Sequence, residues 1–239
     1  MSQADHFTVR DASAADTPAL AALLATTTGL ALARGARRLV AAAPDGRLLA
    51  TLRLDPPLGL QTPRHWYRVG CTVHASAELR LFLRQATLLL GNDLTGAHEL
   101  ADLAMAPGGD AALQALVWAA RHAVASDPAT GDGHRLIAEL PGLRDAQGRS
   151  PFWDGLGRPF CALDPAEALA RHGPGWLADV AALLPRQLLY AAFLPDAAQA
   201  AIGAVHPSAQ AVHDVLQACG LRWQHQIRID DGGPVLEAS

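Results

Sequence analysis

Residues 66–103 run WYRVGCTVHASAELRLFLRQATLLLGNDLTGAHELADL, and this stretch decides the fold. Alternation from Arg68 to Val73 predicts an amphipathic strand, and a short helix is expected after it. Two apolar strands follow, Thr87 to Gly91 and Glu99 to Met105, joined by Gly91-Asn92-Asp93-Leu94-Thr95-Gly96. A hairpin needs only one Asn-Gly or Asp-Gly pair to turn. Here a longer polar loop sits between two glycines and runs straight into His98, Glu99 and Asp102. A tightly turning polar loop that feeds a buried strand is where binding residues collect.

Outward from this block the strand and helix signals alternate. Phe7 to Arg10 reads as an opening strand, and Asp16 caps an Ala/Leu-rich helix to about Ala25 with Pro18 in its first turn. Arg38 to Ala43 and Leu48 to Leu54 flank Pro44-Asp45-Gly46 as a hairpin. Asp110 to Ala125 carries apolar residues at 113, 116, 117, 120 and 124, one face of a helix. Arg135 to Leu140 is a short buried strand. Two later segments share a helix–glycine–strand syntax: 152–160, with Gly155 and Gly157, and 212–223, with Gly220. Glycine after a last helical turn is the usual left-handed stop. The fold class is therefore α/β of the α+β kind, a mixed, mostly antiparallel sheet flanked by helices. An N-terminal half (1–145) and a second, related α/β half (146–239) are expected to pack as one unit. Trp153 and Trp223 are core anchors.

Composition narrows the function classes. The chain has 239 residues, half of them hydrophobic, and a formal net charge of −4. That charge gives no general attraction to nucleic acid or anionic membranes. No apolar run approaches the roughly 20 residues a membrane span needs. Met1 to Asp5 has no basic start or apolar core, so no secretory leader is expected. Cys71, Cys161 and Cys219 are odd in number and lack a C-x-x-C spacing. Metal ligation and a disulfide framework are not expected, and a cytoplasmic setting is. All 19 basic residues are arginines, as GC-rich bacterial codon usage would give.

Tyr67-Arg68-Val69-Gly70-Cys71-Thr72-Val73-His74-Ala75-Ser76, then Asn92-Asp93-Leu94-Thr95-Gly96, then Glu99-Leu100 and Leu103 resemble, in the same order, the Y-R-V-G-T-x-V-H-A-S, N-D-H-T-G and E-L-x-x-L segments of the arginine N-succinyltransferase family. Glu139 with Gly142, Ser150-Pro151-Phe152-Trp153, Ile202-Gly203-Ala204-Val205-His206-Pro207 and Asp231-Gly232-Gly233-Pro234 to Glu237 are similar to further segments of that family. The resemblance implies a GNAT-like fold and succinyl-CoA as co-substrate, with no metal. It implies L-arginine as the small-molecule acceptor, a place in bacterial arginine catabolism, and a homo-oligomer or a hetero-oligomer with a related chain.

Carried over by position, His206 is the proton donor, a task imidazole performs near neutral pH. Leu103 is the succinyl-CoA contact through main-chain groups, and Met105, Gly108 and Gly109 continue the cofactor side. His74, Asn92, Asp93 and Glu99 are candidates for the acceptor, the carboxylates because they bind a guanidinium bidentately. Plainer roles stand beside these: core packing for the Leu103 side chain, a structural histidine at His74, and turn chemistry at Asp93.

Three departures accompany the resemblance. The passage from Thr28 to Arg38 is shorter than in the family. The family's small C-terminal β domain is expected to be absent. The family's basic, glycine-containing phosphate loop is Ala106-Pro107-Gly108-Gly109-Asp110-Ala111-Ala112 in this chain, with no basic residue and an aspartate at the helix start. An aspartate there caps a helix and repels a phosphate. The last two departures favour one alternative, a silent partner subunit or binding module; Leu94, where the family segment has a histidine, opens another, a transferase for a different amine such as ornithine.

Overall fold

The computed structural model describes residues 6–25, 32–126, 135–173 and 175–238. The leader reading at Met1 to Asp5 and the first part of the Thr28–Arg38 passage lie outside them. Ten strands form one sheet in the order β1-β2-β3-β6-β7-β10-β9-β4-β5-β8. Their ranges are β1 Thr8–Asp11, β2 Arg37–Ala42, β3 Leu48–Asp55, β4 Trp66–Ser76, β5 Leu81–Gly91, β6 His98–Met105, β7 Leu136–Glu139, β8 Leu189–Tyr190, β9 Leu221–Ile227 and β10 Pro234–Ala238. All neighbours pair antiparallel except β6 and β7. The last two strands in sequence, β9 and β10, lie between β7 and β4, so strands from both ends of the chain share one continuous sheet.

Strand alternation sorts the core into layers. Leu39, Ala41, Ala50, Leu52, Leu54 and Leu100 face α2 (Asp110–Ala125) and α6 (Gln210–Ala218). Val40, Ala42 and Leu48 face the other way, onto Leu20 of α1 (Thr17–Leu23). The buried residues of α2 include Leu113, Leu116, Val117, Ala120 and Val124, the stripe expected from periodicity. A second core gathers Tyr67, Leu88, Leu90 and Ile227 under Phe152, Trp153 and Trp176. Helices α3 (Pro165–His172), α4 (Trp176–Ala181) and α5 (Asp196–Ala201) contribute Ala168, Val180 and Ala201 to this core.

Three local expectations change. No helix follows β4: residues 77–80 are the turn of a hairpin whose strands are 11 residues each, with Arg80 at φ +49°. Helix propensity in Ala-Glu-Leu-Arg loses to two long cross-strand ladders. No strand follows the helix at 152–157; Trp153–Gly157 is a π-helical turn, and residues 158–160 are a turn. Gly157 is a packing residue and not a stop, since a Cβ there would lie 2.2 Å from the Trp153 ring. Asp16 precedes α1 but its side chain does not cap it. The carboxylate takes two hydrogen bonds from Arg10, at 2.7 and 2.8 Å, and one from Ser13 N–H. The second syntax holds as expected: α6 ends at Gly220, φ +88°, and β9 begins at once.

Candidate active site

The site is built around the parting of β6 from β7. β6 stays paired with β3 as far as Met105. With β7 it makes two pairs, His98 with Leu136 and Glu99 with Ile137. Beyond Glu99 the β7-facing main chain of β6 has no strand partner among the described residues. Its N–H and C=O groups form an unpaired row, which elsewhere in a sheet would attract another extended chain. A bulge opposite Leu52 sets Asp102 at φ +48°, within this open stretch. Bulges of this kind re-aim side chains beside active sites.

Asp102 binds two guanidinium groups on one oxygen: Arg38 Nη2 and Arg53 Nη1 both donate to Oδ2 at 2.7 Å. Arg53 also holds Asp55 bidentately, at 2.8 and 3.0 Å. The Arg38 side chain is only 2% exposed, and its Nε and Nη1 have no hydrogen-bond partner. Buried N–H groups of a charged side chain normally find acceptors, so Arg38 retains donor capacity beside Asp102, the residue that precedes Leu103. Leu103 itself is half-buried and its side chain packs on the α2-side core, as does Met105. Any ligand contact by Leu103 falls to its main chain.

β6 ends in the loop that the sequence marks as altered. Ala106 N–H donates to Leu49 O at 2.8 Å, and Gly109 N–H donates to Ala106 O at 2.9 Å. A Cβ at Gly109 would meet Leu49 O at 2.6 Å, so the close approach of loop to β3 requires glycine. Gly108 sits at φ +76° on the surface. The helix N-cap is Gly109, and Asp110 occupies the first turn without a capping hydrogen bond, a correction to the capping role expected of it. The first-turn amides of α2 lack helical partners, and beside them stands a negative charge.

At the far end of β7 three segments interlock. His206 N–H donates to Pro141 O at 2.8 Å, Gly203 N–H to Gly232 O at 2.8 Å, and Gly233 N–H to Asp231 Oδ1 at 3.0 Å. A Cβ on Gly142 would lie 2.2 Å from Asp231 O, and one on Gly233 would lie 2.1 Å from Leu140 O. The two backbones touch, and only glycine permits it. The half-buried His206 ring accepts at Nδ1 from Ser208 N–H, 3.2 Å away, with Ser208 Oγ at 2.7 Å. An Nδ1 that accepts leaves the proton of a neutral ring on Nε2.

A charged network lies between these parts. Glu99 on β6 and Glu139 on β7 share Arg64, whose Nη1 and Nη2 reach them at 2.9 Å each. Trp66 Nε1 donates to Glu139 Oε1 at 2.6 Å. Arg228 approaches Glu139 Oε2 at 3.7 Å and binds Asp230 at 2.6 Å and Asp231 at 3.0 Å. Burial, and then the neighbouring charge of Glu139, push the Glu99 carboxyl up to about 7.

The sequence candidates divide accordingly. Glu99, Leu103, Met105, Gly108 and Gly109 lie along β6 and its loop, and His206 joins the end of β7. Asn92 and Asp93 sit at the opposite end. Asp93 pairs with Arg68 at 2.6 Å, and its carbonyl accepts from Arg135, just before β7. His74 is exposed on the hairpin, its ring 5.9 Å from that of Tyr190. Arg38, Arg53, Arg64, Asp102, Glu139 and Arg228 escaped the sequence reading as site residues. One signal was available for one of them: Arg53 is a charge set within the largely apolar run of β3. Among the described residues no group of His, Cys, Asp and Glu is arranged to hold a metal, and no helix is long and apolar enough to cross a membrane.

A largely antiparallel sheet that opens between two central parallel strands defines an acyl-CoA N-acyltransferase fold. Residues 38–239 match the family model described as arginine N-succinyltransferase beta subunit, and the chain belongs to that family. It is 38% identical over 194 residues to the arginine N-succinyltransferase subunit beta of Pseudomonas aeruginosa, covering 81% of this chain and 57% of that one. It is also 38% identical over 185 residues to the arginine N-succinyltransferase of Salmonella arizonae, covering 77% and 54%. Arginine/ornithine succinyltransferase subunit AI from Pseudomonas aeruginosa is a solved structure similar in fold. The two share a TM-score of 0.69 and 26% identity, over 97% of this chain and 76% of that one. The chain thus spans little more than half the length of the curated relatives it matches.

Proposed function

We propose that this chain is a cytoplasmic acyltransferase that moves the succinyl group of succinyl-CoA to the α-amino group of L-arginine, releasing CoA and N2-succinylarginine. The observation that carries this reading is the open edge of β6 between a phosphate-type loop and His206. The pantetheine arm is an extended, amide-bearing chain and suits an unpaired strand edge, where main-chain groups near Leu103 can polarise the thioester carbonyl. The amine nitrogen attacks that carbon, the carbon–sulfur bond breaks, and Nε2–H of His206 donates a hydrogen bond to the departing thiolate. The proton that the amine nitrogen sheds passes through solvent to the thiolate, so the ring is neutral before and after the step. The succinyl donor carries a terminal carboxylate that simple acyl donors lack, and Arg38 supplies buried, unpartnered N–H donors to receive it. Gly108, Gly109 and the first-turn amides of α2 receive the pyrophosphate; Asp110 weakens that contact without removing it.

One observation favours a second reading, a silent partner subunit: no basic residue lies between Ala106 and Ala112. The reading as a transferase for ornithine drew on Leu94, which stands where the family has a histidine. Leu94 is 1% exposed and packs with Trp66, Ile137 and Val235, so it offers no acceptor contact. Thiol release from succinyl-CoA with L-arginine or L-ornithine separates the readings. Release with arginine supports the transferase, preference for ornithine replaces the acceptor, and none with either leaves the silent subunit.

A further inference from the structure

A bulge in β9 opens a hollow on the face of the sheet that turns away from α2. The register between β10 and β9 steps from Val235–Gln226 to Leu236–Trp223, so Gln224 and His225 stand outside the ladder. His225 sits at φ +65°, a conformation that costs a non-glycine residue and that collects at ligand sites. The bulge is held in place: Trp223 Nε1 donates to Gln226 O at 2.7 Å, and the Trp223 and His225 rings lie 4.8 Å apart. Gln226 opposes Arg68 on β4 and Val235 on β10, and opposed residues share a face. Leu236, next to Val235, packs towards α2, so Gln226 and Arg68 point the other way. The hollow measures about 480 Å³ and is lined by Arg68, Arg135, Gln224, His225, Gln226 and Glu237. Small-molecule sites occupy roughly 300–1,000 Å³. Arg135 stands just before β7, whereas His206 is bonded to Pro141 beyond its other end. Six extended residues set the two about 20 Å apart, so the hollow is separate from the thioester end of the site.

The lining states what would fit. Gln226 is 6% exposed, yet its side-chain amide makes no hydrogen bond among the described residues. A buried amide normally has partners at both ends, and the hollow leaves this donor and this acceptor to a ligand. On the β4 side, Arg68 meets Asp93 through Nη2 at 2.6 Å, and its other N–H groups make no hydrogen bond among the described residues. On the β10 side, Glu237 takes Arg135 Nε and Nη2 at 2.7 and 2.9 Å, and a carboxylate so engaged keeps further lone pairs. Arg68 is balanced by Asp93 and Arg135 by Glu237, so the surroundings are neutral overall, with spare cationic donors on one side of Gln226 and a carboxylate on the other. A neutral ligand with two separated charges gains at both sides, and a simple anion or cation at one. We propose that this hollow binds a free α-amino acid in its zwitterionic form. The ligand carboxylate accepts from Arg68 and from Gln226 Nε2, and its ammonium donates to Gln226 Oε1 and to Glu237.

Isothermal titration of the full chain with glycine, L-glutamine, L-glutamate and L-arginine tests this, with acetate and methylamine as single-charge controls. The expected result is one-to-one binding of at least one of the amino acids, no binding of the controls, and about tenfold or greater weakening in Gln226→Leu and separately in Arg68→Met. Gln226→Leu removes no hydrogen bond within the protein, and Arg68→Met removes one exposed ion pair of small worth, so both variants keep the wild-type circular dichroism and Tm. An amino acid held near His206 instead would keep its affinity in both variants. No binding by any of the four at about 10 mM overturns the proposal. So does an affinity that both substitutions leave unchanged, or acetate bound as tightly as the amino acid. Binding is read without turnover, so the acyltransferase reading stands or falls separately.

Discussion

Glu99→Gln tests the charge balance of the site through the pH dependence of stability. Glu99 is 5% exposed, shares Arg64 with Glu139, and titrates near 7 in the fold against an ordinary 4.5. A carboxyl raised by folding holds its proton longer in the native state, so native protein binds more protons than unfolded between those values. Stability then falls as pH rises from about 4.5 to about 7. At about 1.4 kcal/mol per unit, the loss is about 3 kcal/mol at most. Glutamine imitates the protonated carboxyl at every pH and keeps an acceptor for Arg64. The variant should match wild type near pH 4.5 and exceed it by up to about 3 kcal/mol at pH 8. Guanidinium melts of both proteins at half-unit pH steps give the difference curve. Burial lowers the His65 pKa, but that contribution is common to both proteins and cancels. Parallel stability curves would refute the reasoning, because they would mean Glu99 is charged in the fold at ordinary acidity.

Gly142→Ala places a Cβ 2.2 Å from Asp231 O, backbone against backbone, and should cost about 3 kcal/mol by chemical denaturation; an unchanged midpoint would contradict the interlock. Asp110→Asn removes the negative charge beside the α2 amides and should tighten CoA binding about three- to fivefold by calorimetry. The gain should shrink at high salt. Arg38→Met should lower kcat/KM for succinyl-CoA by roughly 10–100-fold, the worth of a charge-assisted hydrogen bond. With butyryl-CoA, which lacks the carboxylate, it should change little.

The fold was legible where neighbours in sequence decide it. The α2 boundaries and stripe follow from periodicity alone, and the β2–β3 hairpin from Pro44-Asp45-Gly46. The short helix expected after β4 failed because Ala77 to Arg80 carry helix formers while the ladders on either side hold them in a turn. The insertion of β9 and β10 between β7 and β4 has no local signature; pairing partners more than 80 residues apart fix it. The site divides the same way. His206 and the β6 candidates, Glu99 among them, came from motif positions, whereas Arg64, Glu139 and Arg228 join Glu99 in one network from three further segments. A charge whose partner lies across the sheet cannot be paired by spacing.

The most direct test of the account is thiol release from succinyl-CoA in the presence of L-arginine, measured for wild type and for His206→Ala. The account predicts arginine-dependent release by wild type and a loss of roughly 10²–10⁴-fold in kcat for the variant, with CoA binding retained. Wild-type protein that binds CoA but releases no thiol, or a variant as active as wild type, would contradict it.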